Sequence, residues 1–372
     1  MQPIRLARPN YRPSLDGLRA LCIIFTLENH LPIKPIWLNG SIGVDVFFAL
    51  SGWLITSLLM SDAKENGRIN LINFYIRRFF RIVPLYYMTV FLYFLASLLS
   101  VRFDVHELAK FNDVALQLFT FNGEYRPEQA ANKIFLHAWT LGIEEKFYLL
   151  WPIILVISMM KSWRAFIIAC VVSTGLIAIS AFSPTLIRGY CGLAFGAGLA
   201  VWSVKNPRVA DWIATERAIW IAAAFIVGAY VLALIFPHPF VWNLAISLAA
   251  AFLVGGIWLN TSHPISRWLS VSPLPQLGKL TFALYLLHVF ALKLTGAMLN
   301  RVGLGENQAL QFVAAYLAAV VLAYVAYRAV ERPMIRFGRA IVASRLIRLN
   351  HGQVMPTLDS ASRASASADP LE

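Results

Sequence analysis

Arg19 and His30 stand eleven residues apart in one apolar run. Eleven residues of α-helix return to within about 20° of the same face and rise about 16 Å. Both side chains would therefore project from one face, with Thr26 between them and Glu28 pointing nearly opposite His30. A charge inside a membrane span costs about 2.5–3.5 kcal/mol on insertion scales, so such residues are candidates for function by default. Imidazole titrates nearest neutral pH, which suits His30 to general-base work; a histidine resting at a helix end is the plainer alternative. Arg19 suits an anion site or a simple anchor equally well.

Four further groups carry chemistry. Asp45 lies in Gly43-Val44-Asp45-Val46-Phe47-Phe48, at the depth expected for His30. A carboxylate there would orient an imidazole, or would only complement a helix N-terminus. Arg77, Arg78 and Arg81 precede Pro84 in an inner loop before the third apolar run. Their spacings of three and four make one basic face, fit for phosphates or for anionic lipid. Trp139-Thr140-Leu141-Gly142-Ile143-Glu144-Glu145 puts two acids at the entry of another run, and His288 and Glu331 sit near or in later ones. Cys22, Cys170 and Cys191 lie in apolar stretches without metal-ligand spacing, so no metal site is expected.

The elements that must position these groups follow from composition. The 372 residues are 59% hydrophobic and only 14% charged, against about 45–50% and about 25% in soluble domains. This excludes a soluble enzyme, a disordered chain and a coiled coil. Runs near 14–31, 41–60, 82–100, 146–161, 164–182, 185–204, 217–236, 240–259, 279–299 and 308–330 are long enough to cross a bilayer. The expected fold is an all-α membrane bundle of about ten transmembrane helices. With the N-terminus in the cytoplasm, 22 of the 32 Lys and Arg fall on the cytoplasmic side and six outside. That bias places both termini inside, and it accounts for the net charge of +13 without nucleic acid. The expected divisions are a cytoplasmic segment 1–13, a membrane domain 14–335 with a long outer loop 101–138, and a largely disordered cytoplasmic tail 336–372. No cleavable leader is expected. Gly192 and Gly196 have the four-residue spacing of close helix packing.

Five ordered blocks together resemble the acyltransferase 3 family of integral-membrane O-acyltransferases. They are Ser14-Leu15-Asp16-Gly17-Leu18-Arg19-Ala20 with His30, Gly43-Val44-Asp45 to Ser51-Gly52, Arg77 to Pro84, Trp139 to Tyr148, and Tyr285 to His288. The family's Trp-Ser-Leu-Ser-Val-Glu pattern stands here as Trp139-Thr140-Leu141-Gly142-Ile143-Glu144, so both serines are replaced, by Thr140 and Gly142, and the acidic position is kept. The resemblance implies transfer of an acyl group, often acetyl, from cytoplasmic acyl-CoA to a hydroxyl of a glycan or glycolipid. It implies acyl-CoA as a donor substrate and no permanently bound cofactor, in the inner membrane of a bacterium among its lipids. Some members continue into an extra helix and an extracytoplasmic esterase-like domain; a short cytoplasmic tail is expected here instead.

On that resemblance the catalytic candidates are His30, Asp45 and Glu144. The donor-binding candidates are Arg19, Arg77, Arg78 and Arg81. A pantetheine arm extends on the order of 15–20 Å, close to the Arg19–His30 rise. His30 would take the acceptor's proton or carry the acyl group itself. The 101–138 loop, with Phe121, Tyr125 and Trp139 nearby, is expected to shape the acceptor site. Three rivals stay open: a transporter, the same chemistry on a small molecule such as a macrolide, and a scaffold for glycan export.

Overall fold

A computed structural model describes residues 11–28, 40–100, 106–125, 135–159, 184–236 and 239–353. Among them the chain is helical, with no strand. The helices are α1 (Pro13–Glu28), α2 (Ser41–Asn66), α3 (Leu71–Ser100), α4 (His106–Phe119), α5 (Trp139–Met159), α6 (Pro184–Lys205), α7 (Pro207–Ile213), α8 (Glu216–Ile235), α9 (Pro239–Leu259), α10 (Pro264–Leu269), α11 (Leu274–Lys279), α12 (Thr281–Arg301), α13 (Gln308–Ala326) and α14 (Arg332–Gln353). Six described helical stretches, in α2, α3, α8, α9, α12 and the continuous α13–α14 rod, are long and apolar enough to cross a membrane. The expected run 164–182 lies outside the described residues, as do His30 and 354–372.

Helices α1 and α2 form the partition of the bundle. Leu15, Leu18 and Cys22 of α1, with Ala49, Leu50 and Trp53 of α2, face one apolar cluster shared with α6, α8 and α9. Ile23 and Leu27 of α1, with Ile55 and Leu59 of α2, face a second cluster built by α3, α4, α5, α12 and α13. Polar residues on the partition are thus enclosed from both sides. Helices α2 and α6 meet backbone to backbone. A Cβ at Gly52 would stand 2.1 Å from the Leu193 carbonyl oxygen, and one at Gly196 2.1 Å from that of Ala49. The small-residue spacing at Gly192 and Gly196 therefore marks close packing, as expected.

Three expected boundaries are corrected. The basic stretch at Arg77–Arg81 is helical rather than a loop, because apolar side chains at helical spacing, Phe74, Ile82 and Leu85, are buried and carry α3 back to Leu71. The segment expected as an outer loop, 101–138, is partly helical: α4 buries Phe111, Val114 and Leu118, and the Tyr86 hydroxyl donates to the Leu118 carbonyl at 2.7 Å. The tenth run, expected over 308–330, continues as helix past Pro333. A π-helical turn, Tyr327–Glu331, precedes that proline and loosens the ladder where its missing N–H would be needed. The expected tail is accordingly helical from 336 to Gln353, with Phe337 packed edge-on to Phe80 of α3 at 5.2 Å.

Candidate active site

The end of α2, the start of α3 and α14 enclose a cleft of ≈ 840 Å³. Arg77, Arg78 and Arg81 of α3 line it together, as their spacing requires, and Arg339 of α14 joins them. Among the described residues, none of these four guanidinia donates a hydrogen bond to a protein group. Arg78 lies against two ring faces, 5.6 Å from the Phe74 centroid and 5.3 Å from that of Tyr148. A guanidinium offers five N–H donors in a fixed fork that matches phosphate oxygens. The cleft's acids carry hydrogen bonds from their neighbours: Asp62, within electrostatic reach of Arg77, accepts from Asn66 Nδ2 at 2.6 Å and from the Asn70 N–H at 2.9 Å, and Glu65 accepts from Ser61 at 3.2 Å. The cleft is therefore a basic site with free donors.

Its inner end meets a cluster of polar groups. Ser51 of α2 donates to Glu144 Oε1 of α5 at 2.7 Å. Tyr148, one turn along α5, hydrogen-bonds in the same group. Arg19 of α1 pairs with Asp16 at 3.0 Å and lies within electrostatic reach of Arg81, Tyr148 and Glu144. Glu145 and buried Glu331 complete the group; each faces the arginines and keeps one carboxylate oxygen without a hydrogen bond among the described residues. Three arginines thus stand opposite three glutamates at the wall between cleft and bundle.

Beyond that wall is a small cavity of ≈ 50 Å³, room for a water molecule or two. Thr26, Thr140, Glu144 and Tyr285 supply its polar lining, and Phe47 and Phe48 part of its apolar lining. The Tyr285 hydroxyl bridges the His137 carbonyl and the Thr140 hydroxyl. Behind it His137 and His288 are buried ring against ring, centroids 4.6 Å apart. His288 donates through Nδ1 to the Tyr285 carbonyl at 2.7 Å, which fixes its tautomer.

Asp45 is fully buried, and Arg188 of α6 binds both of its carboxylate oxygens. Removing one partner of such a pair leaves a buried charge uncompensated. Asp45→Ala is expected to destabilise the fold by about 3–5 kcal/mol, with most of the loss recovered in the Asp45→Ala/Arg188→Met double variant. Denaturant unfolding in micelles measures both.

The structure thus brings Arg19, Arg78, Arg81 and Glu144 together, puts Arg77 at the cleft's exposed edge, and sets Asp45 apart on Arg188. Sequence reasoning missed Arg188 as that partner, Arg339 as the fourth guanidinium, and the Ser51–Glu144–Tyr148 group. Only Tyr148 carried a local signal, four residues after Glu144. Position 142 does not line the cavity. A Cβ there would meet Glu124 Oε2 at 2.1 Å, because the segment Gly123–Tyr125 packs onto α5 and Glu124 pairs with Lys146. Tyr125 lies over that lysine and Phe121 stacks on Tyr86, so neither reaches the cavity lining.

Comparison with known proteins adds an independent line. A sequence model for a family described as an acyltransferase domain matches residues 12–328. The chain is 30% identical over 363 residues to the peptidoglycan O-acetyltransferase OatA of Listeria monocytogenes, an alignment covering 88% of this chain and 56% of that protein. It is 28% identical over 376 residues to the O-acetyltransferase OatA of Staphylococcus aureus, covering 90% of this chain and 59% of the relative. The chain therefore spans little more than half the length of these relatives. No solved structure matches it.

Proposed function

The chain belongs to the acyltransferase-domain family, and we propose that it is a multi-pass membrane O-acyltransferase. It moves an acyl group, acetyl in the simplest case, from cytoplasmic acyl-CoA to a hydroxyl of an extracytoplasmic or lipid-linked glycan. The observation that carries this proposal is the set of four guanidinia in one cleft, without a hydrogen bond to a protein group among the described residues and joined through Arg19, Arg78 and Glu144 to the cavity. An apolar transport path gains nothing from such a set. A donor carrying several phosphates on a long neutral arm needs both parts.

In this mechanism Arg77, Arg78 and Arg81 hold the donor's phosphates at the cytoplasmic face, with Arg19 behind them. The arm leads the thioester past Glu144 towards Thr26. His30 follows Thr26 at the four-residue spacing of one helical face. Its imidazole takes the proton from the acceptor hydroxyl as the oxygen attacks the thioester carbonyl carbon. The carbon–sulfur bond then breaks, and the departing thiolate receives that proton back from the imidazolium. Glu144 stabilises the cation that forms, and Asp45 acts at a distance by fixing α2 against α6 through Arg188. The distribution of Lys and Arg supports a cytoplasmic side for both termini. The name of the Listeria relative favours a cell-wall glycan over a small molecule as acceptor, in the inner membrane of a bacterium.

The protein, reconstituted in vesicles with a lipid-linked peptidoglycan precursor and acetyl-labelled acetyl-CoA, should make alkali-labile label on the glycan. Label that stays on CoA with this acceptor and with glycan polymers alike would overturn the assignment.

A further inference from the structure

Resting on the donor site just proposed, we infer that Arg339 of the last helix, together with Arg77, reads the 3′-phosphate of the donor's adenosine. The enzyme would then select a thioester carried on adenosine 3′,5′-bisphosphate over one lacking that phosphate.

Three observations lead there. The first is length. Residues 308–345 form one continuous candidate span of 38 residues, about 57 Å long, against a hydrocarbon core of about 30 Å. The rod therefore projects well past the apolar layer. Arg339 lies on that projection, and the residues of the cleft's third wall run from Ile335 to Ala343.

The second observation is register. Gly338 lets α14 lie directly on α3, where a Cβ would stand 2.8 Å from the Cβ of Phe80, and Phe337 meets the Phe80 ring edge-on. This contact places Arg339 on the same cleft as the α3 arginines without any hydrogen bond to a protein group among the described residues. An arginine spent on helix packing or on a carboxylate would be engaged. This one is held in place by its neighbours and left with its donors free.

The third is depth order. Arg78 and Arg81 are half-buried and face Glu144, Glu145 or Glu331, whereas Arg77 and Arg339 are exposed. In the donor the order along the molecule is thioester, arm, pyrophosphate, then the adenosine with its 3′-phosphate. With the thioester directed inwards, the inner pair meets the pyrophosphate and the outer pair meets the 3′-phosphate. The cleft volume falls within the range of sites that take a nucleotide-sized ligand.

The test is equilibrium binding of CoA and of 3′-dephospho-CoA to the full chain in nanodiscs. The unaltered protein should bind CoA about tenfold or more tightly than the dephospho form, the contribution of one charge-assisted contact. Arg339→Ala should narrow that preference to about threefold or less, chiefly by weakening CoA and leaving the dephospho form nearly unchanged. Arg339→Lys, which keeps the charge and loses the fork, should fall between them. Equal preference in Arg339→Ala and the unaltered protein, or no preference in the unaltered protein, would overturn the role of Arg339 and leave the donor site standing. Failure of both nucleotides to bind the unaltered protein would overturn the donor site itself.

Discussion

His30→Ala is expected to lower acyl transfer by about 10²–10⁴-fold, the usual contribution of a positioned general base, while leaving acetyl-CoA affinity unchanged. An alcohol is almost fully protonated at neutral pH, so the attacking oxygen needs a base within hydrogen-bond reach. Among the described residues no imidazole lines the cavity. His137 and His288 stand behind Tyr285, which spends its hydroxyl on the His137 carbonyl and on Thr140. Glu144 is held by Ser51 and is a poor substitute for that reason. Steady-state rates with labelled acetyl-CoA, set beside equilibrium donor binding, separate lost chemistry from lost fold. A rate within threefold of the unaltered protein would remove His30 from the mechanism.

The second large effect is at the other end of the path. Arg78→Ala/Arg81→Ala should weaken acetyl-CoA binding by about 10²–10⁴-fold, because two charge-assisted phosphate contacts are lost at about 1.5–3 kcal/mol each. Arg78→Lys/Arg81→Lys keeps the charge opposite Glu145 and Glu331 and loses only the planar fork, so it should be folded and intermediate in affinity. Isothermal titration in nanodiscs measures both. The two sites then give opposite signatures: lost rate with intact binding at His30, lost binding at the arginines. A transporter or scaffold gives neither.

The bundle was legible where a physical constraint acts locally. Length and hydropathy mark the runs because a bilayer demands about 20 apolar residues, and the four-residue spacing of Gly192 and Gly196 marks a close helix contact. The basic face of Arg77, Arg78 and Arg81 was legible because helical spacing alone puts them together. What lay beyond reach was anything that depends on which helices become neighbours. Asp45 and Arg188 are 143 residues apart, and Ser51 and Glu144 are 93 apart. No spacing rule spans such distances. The end of the last helix departs from its sequence pattern for a different reason. Pro333 reads as a helix stop, and the π-helical turn before it absorbs the missing hydrogen bond. Arg339 then became visible as a site residue only once α14 was found lying along α3.

The central claim is that cytoplasmic acyl groups reach an extracytoplasmic glycan through this protein. Mass spectrometry of cell-wall and surface glycans from the native host tests it most directly. The comparison is between a deletion strain, the strain with the gene restored, and one restored with Arg78→Ala/Arg81→Ala at equal protein level. The expected result is loss of an acyl mass increment on deletion, its return with the unaltered gene, and its continued absence with the double variant. An identical acyl pattern in all three strains would contradict the claim.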